Sequence, residues 1–150
     1  MSTQSWRDHF TLLSDGEPAE AWCAAADGEE AWVVLEAAPQ DVVRTGELPA
    51  EGVLSQAPLG DYDVIELSVF AKPAARIRWR SDEEEGGAIS EVAPVGGVEI
   101  ADATRAALVE AALDELWQEG AERVWTVIPE AQAAGYLAAG WEQRERVTHG

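Results

Sequence analysis

The chain has 150 residues, which predicts a single domain over residues 1–150 with room for a hydrophobic core. Its hydrophobic content of 47% is typical of a globular protein and excludes a disordered or collagen-like chain. The formal net charge of −19 argues against functions that require phosphate neutralisation, so we expect neither nucleic acid nor an anionic membrane surface as a partner.

The acidic charge has two interpretations. The basic residues are Lys72 and otherwise only arginines, and a lysine-poor, alanine-rich, acidic composition is mainly a signature of a genome or of adaptation to salt. The functional alternative is an electric field that attracts cationic partners, such as small amines or basic peptides.

The sequence gives little support to thiol, metal or membrane chemistry. Cys23 is the only cysteine, which excludes an internal disulfide, and its apolar neighbours indicate a buried, inert thiol. His9 and His149 lie near opposite ends of the chain, so no metal site is expected. The N-terminus has no signal-like apolar run and no segment is long enough to span a membrane, so we expect a soluble, cytoplasmic protein.

The first third of the chain is expected to form strands. Residues 21–26 and 31–38 flank the turn-forming pair Asp27 and Gly28, which predicts a β-hairpin. Glycine and proline are frequent in residues 39–61, so this segment is predicted to be a loop with at most one short helix.

The middle of the chain predicts further strands. Residues 63–71 are rich in β-branched residues, and residues 76–80 alternate arginine with apolar side chains, as a half-exposed strand requires. We interpret the arginines as partners of the glutamates at 83–85, with an anion site as the alternative. An acidic turn over 81–87 should connect this strand antiparallel to residues 88–93.

The last third predicts helices that alternate with strands. The clearest helix could be capped by Asp102 or Thr104 and should end near Gly120. Its apolar stripe consists of Leu108, Val109, Ala112, Leu113, Leu116 and Trp117. A strand over 123–128, a short helix from about Pro129 to Gly140 and a final strand over 141–147 follow. This order predicts an α/β (α+β) fold, a mixed sheet with helices on both faces.

Residues 88–148 resemble the C-terminal half of the GNAT acyl-CoA N-acyltransferase superfamily. The similarity lies in a strand that ends near Val92 and Val95, a glycine-containing loop and a long helix. The sharpest match is Tyr136, followed after three residues by Gly140 and then by Trp141. The helix between the strands over 88–93 and 123–128 predicts that these two strands are parallel neighbours. The resemblance implies a single GNAT-like domain with a splay between them. The two strands should separate near Val92–Val95.

The resemblance also implies an activity and a set of site residues. Acetyl-CoA would be the acyl donor. The acceptor would be a cationic amine, either a small molecule or a basic peptide. Tyr136 would be the general acid, with its hydroxyl exposed to a cleft at the splay, and Glu91, or Glu66, would help to deprotonate the amine. The cofactor contacts would be Val92, Val95, Gly96, Gly97, Thr104 and Arg105.

The loop before the long helix departs from the family pattern. Its glycines come early, Glu99 and Asp102 add negative charge where phosphates should lie, and Pro129 replaces the usual asparagine before the last helix. Arg105 could compensate for this charge. The alternative to an N-acetyltransferase is therefore a catalytically inactive GNAT-fold binding module, which could form a homodimer.

Overall fold

The computed structural model describes residues 31–60, 62–82, 86–96 and 99–147. The predictions that fall on residues 1–30, including Cys23 and the first strand of the expected hairpin, lie outside the described residues, as does Gly97.

The described residues form strands that alternate with two helices late in the chain. The strands are β1 (Trp32–Ala37), β2 (Gly52–Leu59), β3 (Tyr62–Val69), β4 (Lys72–Asp82), β5 (Gly86–Ile89), β6 (Ala93–Pro94), β7 (Val124–Pro129) and β8 (Glu142–Val147). The helices are α1 (Asp102–Gln118) and α2 (Ala133–Ala139), and 3-10 turns occupy Pro39–Asp41 and Glu130–Gln132.

All the described strands belong to one mixed sheet, which confirms the predicted fold class. Its order is β2-β3-β4-β5-β7-β1-β8, with β6 paired to β4. The pairs are antiparallel except β5 and β7, which run parallel and are connected through α1. The strand–helix–strand pattern in the last third therefore predicted the one parallel pair among the described strands.

Strand β1 occupies a place that the sequence did not predict. It lies between β7 and β8 and pairs antiparallel with β7 over its whole length and with β8 over residues 32–36. Both edges of β1 are thus taken by strands from the last third of the chain. The predicted strand over 31–38 is confirmed as β1, but its expected hairpin pairing is wrong because neither edge of β1 is free. The turn signal at Asp27 and Gly28 carries no information about distant partners.

Residues 39–61 are not the long loop that their glycines and prolines predict. The segment contains the 3-10 turn at Pro39–Asp41 and the complete strand β2, which pairs with β3. β2 lies at the edge of the sheet, where a proline such as Pro58 is tolerated because one side of the strand needs no ladder hydrogen bonds. The glycines and prolines of this segment therefore led to the prediction of a loop where the structure has an edge strand.

The predicted alternation in β4 is confirmed. Ile77 and Trp79 are buried, whereas the arginines that alternate with them, at 76, 78 and 80, are partly exposed. Arg76 pairs with Glu66 on the neighbouring strand β3, with Nη2 of Arg76 3.2 Å from Oε2 of Glu66. Arg78 lies over the ring of Tyr62 at 5.3 Å. Cross-strand partners thus hold two of the arginines, while the glutamates at 83–85 lie outside the described residues.

Helix α1 follows the predicted stripe with two differences. Five of the six stripe residues are buried, but Trp117 is 44% exposed. The N-cap is Ala101, with no side-chain hydrogen bond, so neither Asp102 nor Thr104 caps the helix. The predicted end near Gly120 is confirmed, because that residue has a φ of 90°, which suits glycine after a helix.

Both helices contribute to one hydrophobic cluster on a single face of the sheet. The cluster joins Leu113 of α1 and Tyr136 of α2 to Ile77, Ile89 and Val33 of the sheet. We expected helices on both faces of the sheet. The two described helices lie on one face. No helix among the described residues is long and apolar enough to cross a membrane.

Candidate functional site

The parallel strands β5 and β7 separate at a β-bulge. Their pairing ends with Ile89 opposite Thr126, whose Oγ1 donates a hydrogen bond of 3.0 Å to the Ile89 carbonyl. Beyond this point the three residues 90–92 stand opposite only two residues of β4, which defines the bulge. Separation was predicted near Val92–Val95 but begins directly after Ile89.

Ser90 explains the early separation. Its Oγ accepts the backbone N–H of Arg78 at 2.9 Å and donates to the carbonyl of Glu91 at 3.0 Å. The side chain therefore replaces a ladder carbonyl, and the chain moves to pair β6 with β4 instead of continuing beside β7.

A cleft of about 480 Å³ lies between α1, α2 and the segment at Val43 and Thr45. The apolar part of its walls consists mainly of alanine and valine, and a volume of this size is typical of small-molecule sites. Its polar and charged lining side chains are those of Thr45, Asp102, Arg105, Glu110, Gln132 and Tyr136.

The side of the cleft is fixed by residues 42–48, which we call the crossing segment because it contacts both helices. The N–H of Val43 donates to the Ala139 carbonyl of α2 at 2.8 Å. On α1, Oε2 of Glu110 accepts the N–H groups of Thr45 and Gly46, each at 2.8 Å. A carboxylate that accepts two backbone N–H groups forms charge-assisted bonds, which hold the crossing segment in place.

Tyr136 lies at the base of the cleft, with its hydroxyl buried. The residue is 6% exposed, and its ring meets Trp141 edge-on with centroids 5.7 Å apart. The Oη has no hydrogen-bond partner among the described residues. Burial raises the pKa of Tyr136 well above its ordinary value; nearby Arg105 opposes this and Glu91 adds to it. The expected hydroxyl open to a cleft is therefore shielded, because α2 packs the ring into the core.

Glu91 and Gln132 meet across the opening between the parallel strands. Glu91 follows β5 and Gln132 ends the 3-10 turn after β7, and Nε2 of Gln132 donates to Oε2 of Glu91 at 2.6 Å. The Oε1 of Gln132 is buried without a partner among the described residues. Glu91 borders the cleft through Gln132, and its charge acts on the hydroxyl of Tyr136.

Arg105 lines the cleft from the first turns of α1. Its Nη1 lies 3.0 Å from Oδ1 of Asp102, whose side chain is fully exposed. The Nε of Arg105 is buried with no partner among the described residues, and the side chain is 23% exposed. Arg105 thus has a buried Nε edge and pairs through Nη1 with Asp102, the acidic residue that the sequence places in the loop.

The remaining predicted contacts do not line this cleft. Val92 is buried in the hydrophobic cluster, and the N–H of Val95 already donates to the Ala74 carbonyl at 3.0 Å. Gly96 is exposed with a φ of 74°, in the turn before α1, and Thr104 is half-buried on its first turn. Glu66, the other candidate base, lies on β3 in its pair with Arg76.

Sequence reasoning missed Glu110, Gly46 and Gln132. Gly46 lies so close to α1 that a Cβ there would be 2.3 Å from the backbone nitrogen of Ala107. Nothing in the sequence links the crossing segment to α1, so Glu110 reads as a solvated residue. Gln132 offered one signal, because a residue four positions before Tyr136 faces the same side of a helical turn.

Comparison with known proteins gives a consistent fold. No protein-family model and no curated protein matches the sequence. A GCN5-related N-acetyltransferase from Kribbella flavida has a TM-score of 0.57 at 15% identity, and one from Sphaerobacter thermophilus has 0.58 at 11%. A putative acetyltransferase of the GNAT family from Novosphingobium aromaticivorans has 0.56 at 12% identity.

These similarities concern the fold. Each covers 78% of this chain, and this chain spans between 49% and 61% of the length of those three structures. At such identities the comparison carries no residue roles. The resemblance that the sequence predicted is confirmed at this level: the chain has a mixed sheet flanked by helices that resembles the GCN5-related N-acetyltransferase (GNAT) superfamily.

Proposed function

We propose that this chain transfers an acetyl group from acetyl-CoA to an amine in the cleft between α1 and α2. The observation that carries the proposal is that three side chains lining this cleft each have a buried polar atom without a partner among the described residues. These atoms are Arg105 Nε, Gln132 Oε1 and Tyr136 Oη. Each such group costs about 1–3 kcal/mol when unpaired, so their presence in the lining of one cleft supports a polar ligand. The fold of the neighbours supports acyl transfer as the reaction class.

The residues around the cleft fit a CoA thioester. Helix α1 has no side-chain cap at Ala101, so its first-turn N–H groups remain for phosphate oxygens. Arg105 adds a guanidinium, whose fork suits phosphate geometry. The alanine and valine walls suit an apolar arm. Acetyl-CoA would supply the activated acyl group.

The other proposed contacts precede α1 in the sequence or lie in its first turn. Val92, Val95, Gly96 and Thr104 remain proposed cofactor contacts because they lie between the bulge and the first turn of the helix. Gly97, outside the described residues, remains a proposed contact from the sequence. Val95 would contribute its carbonyl, since its N–H is already bonded to β4.

Two side chains would move protons. Tyr136 is the proposed general acid for the leaving thiolate, and its Oη holds its proton at neutral pH because burial raises its pKa. Glu91 is the proposed base for the amine, and its bond to Gln132 fixes the carboxylate beside the cleft.

The local charge favours a cationic acceptor. Asp102 and Glu110 line the cleft against one cation, Arg105, and Glu91 lies next to it. This excess agrees in sign with the net charge of −19 and attracts amines or basic peptides by long-range electrostatics. We propose that the reaction is cytoplasmic, in one domain over residues 1–150.

One observation favours the alternative of an inactive GNAT-fold binding or dimerisation module. Asp102 pairs with Arg105, which is the cation that a phosphate would need. A carboxylate that already occupies the guanidinium competes with phosphate, so an eroded cofactor site would have this arrangement.

Calorimetric titration with acetyl-CoA at one salt concentration separates the two functions. The wild type should bind, and Arg105→Ala should weaken binding by about 1.5–3 kcal/mol, the range for a charge-assisted hydrogen bond. Glu99→Gln should leave binding unchanged or slightly stronger. Arg146→Ala, at an exposed ion pair on β8, is the matched control and should have no effect.

The titration also has two outcomes that contradict the enzyme. Binding that appears only after Glu99→Gln and Asp102→Asn together would identify an eroded site. If neither the wild type nor any variant binds at millimolar acetyl-CoA, the similarity is one of fold alone, and the module remains.

A further inference from the structure

The amide of Gln132 has a defined orientation. A carboxylate only accepts hydrogen bonds, so the NH₂ group of Gln132 must face Glu91, as the 2.6 Å contact between Nε2 and Oε2 requires. The amide oxygen therefore points away from Glu91. This Oε1 is buried, lacks a partner among the described residues and belongs to a side chain that lines the cleft.

The bond to Glu91 makes this oxygen a strong acceptor. A hydrogen bond to an ionised acceptor polarises the donor group, and linked hydrogen bonds strengthen each other in a low-dielectric site. The negative charge behind the amide also favours a positively charged donor. Gln132 Oε1 is thus suited to an N–H of a cation and poorly suited to another carbonyl or to an anion.

A second acceptor lies on the same side of the helical turn. The Oη of Tyr136, four residues further on, is buried without a partner among the described residues and can accept as well as donate. A primary ammonium offers three N–H donors, and methylation replaces one of them with an apolar group. A site with more than one acceptor therefore distinguishes a primary amine from its N-methyl derivative.

We propose that Gln132, polarised by Glu91, binds the acceptor amine through its Oε1 and selects primary over N-methylated amines. This inference rests on the proposed function for its role in acetyl transfer. The contact itself is a binding property, and it can be measured without turnover.

The test uses benzylamine and N-methylbenzylamine as a matched pair. Thermal unfolding is recorded for the wild type with each amine at concentrations up to 50 mM, and acetyl transfer to each amine is assayed separately. The wild type should be stabilised more by benzylamine, and its KM for this amine should be lower. Gln132→Met, which retains the length of the side chain but removes the amide, should raise that KM about tenfold and abolish the preference. The KM for acetyl-CoA should change little.

Two further variants control the experiment. Gln40→Met makes the same change in the other 3-10 turn, at an exposed residue outside the cleft, and should behave as wild type. Glu91→Gln retains a partner for Gln132 but removes the charge, so it should weaken binding of both amines. It also provides an independent measurement if Gln132→Met does not fold.

The outcomes separate the two proposals. Binding of benzylamine that depends on Gln132, without acetyl transfer, would support the amine site and contradict the transferase. Transfer without a preference between the amines, or with equal effects of Gln132→Met and Gln40→Met, would overturn the role of Gln132. Absence of binding to both amines at 50 mM would overturn it as well.

Discussion

The hydroxyl of Tyr136 should cost stability and supply activity, and Tyr136→Phe separates the two effects. The Oη is buried and lacks a partner among the described residues, while the ring packs edge-on against Trp141. A buried hydroxyl without a hydrogen bond costs about 1–3 kcal/mol relative to an apolar group of the same shape. Removal of one oxygen leaves the ring packing unchanged, so Tyr136→Phe should raise the free energy of unfolding by about that amount.

The same substitution should lower the rate of acetyl transfer. If Tyr136 is the general acid, loss of its proton should reduce kcat by roughly 10²–10⁴-fold, the usual contribution of acid–base catalysis. For a domain of this size, each kcal/mol shifts the midpoint of thermal unfolding by about 2–4 °C, so the gain should be about 2–12 °C. The variant would thus be more stable and less active than the wild type.

Thermal and urea unfolding, together with steady-state kinetics, provide the measurements. Tyr62→Phe is the matched control, because Tyr62 is half-buried on β3 below Arg78 and far from the proposed chemistry. It should leave kcat unchanged. A less stable Tyr136→Phe variant would contradict an unpaired hydroxyl, and an unchanged kcat would assign Tyr136 to packing alone.

Three other predictions concern local structure. The β3–β4 turn has two residues with positive φ, Phe70 at 51° and Ala71 at 63°, so the pair Phe70→Asn and Ala71→Gly should raise the free energy of unfolding by about 1 kcal/mol in urea titrations. Glu110→Ala removes the acceptor of two backbone N–H groups; it should lower stability by about 1–3 kcal/mol and increase hydrogen exchange in the crossing segment, and unchanged exchange would contradict its clamping role. Gly46→Ala would force a Cβ against the backbone of Ala107 and should cost about 1–3 kcal/mol, which thermal unfolding would detect.

The sequence determined those elements whose signals are local. Alternation in β4 predicted which of its faces is buried, because side chains of a strand point to opposite sides in turn. The stripe of α1 and the glycine after it predicted the helix and its end. A helix between two short strands predicted the parallel pair β5–β7, since parallel neighbours require a crossover.

Features of the fold that depend on distant partners were predicted wrongly or not at all. The hairpin at Asp27 and Gly28 followed a turn rule, yet β1 pairs on both edges with strands from the last third of the chain. Proline and glycine in 39–61 suggested a loop because the sequence does not say which strand lies at the edge, where such residues are tolerated.

The candidate site divides in the same way. Tyr136, Arg105 and Glu91 could be chosen from a family pattern in the sequence, and the fold brings them to one region around the cleft. The burial and the hydrogen-bond partners of these side chains could not be predicted from the pattern. Burial of the tyrosine hydroxyl, the Asp102 partner of Arg105 and the contact between Gln132 and Glu91 all depend on distances across the fold. Hydrogen bonding and desolvation act over a few ångströms, so only the tertiary structure decided which polar atoms are paired and which remain for a ligand.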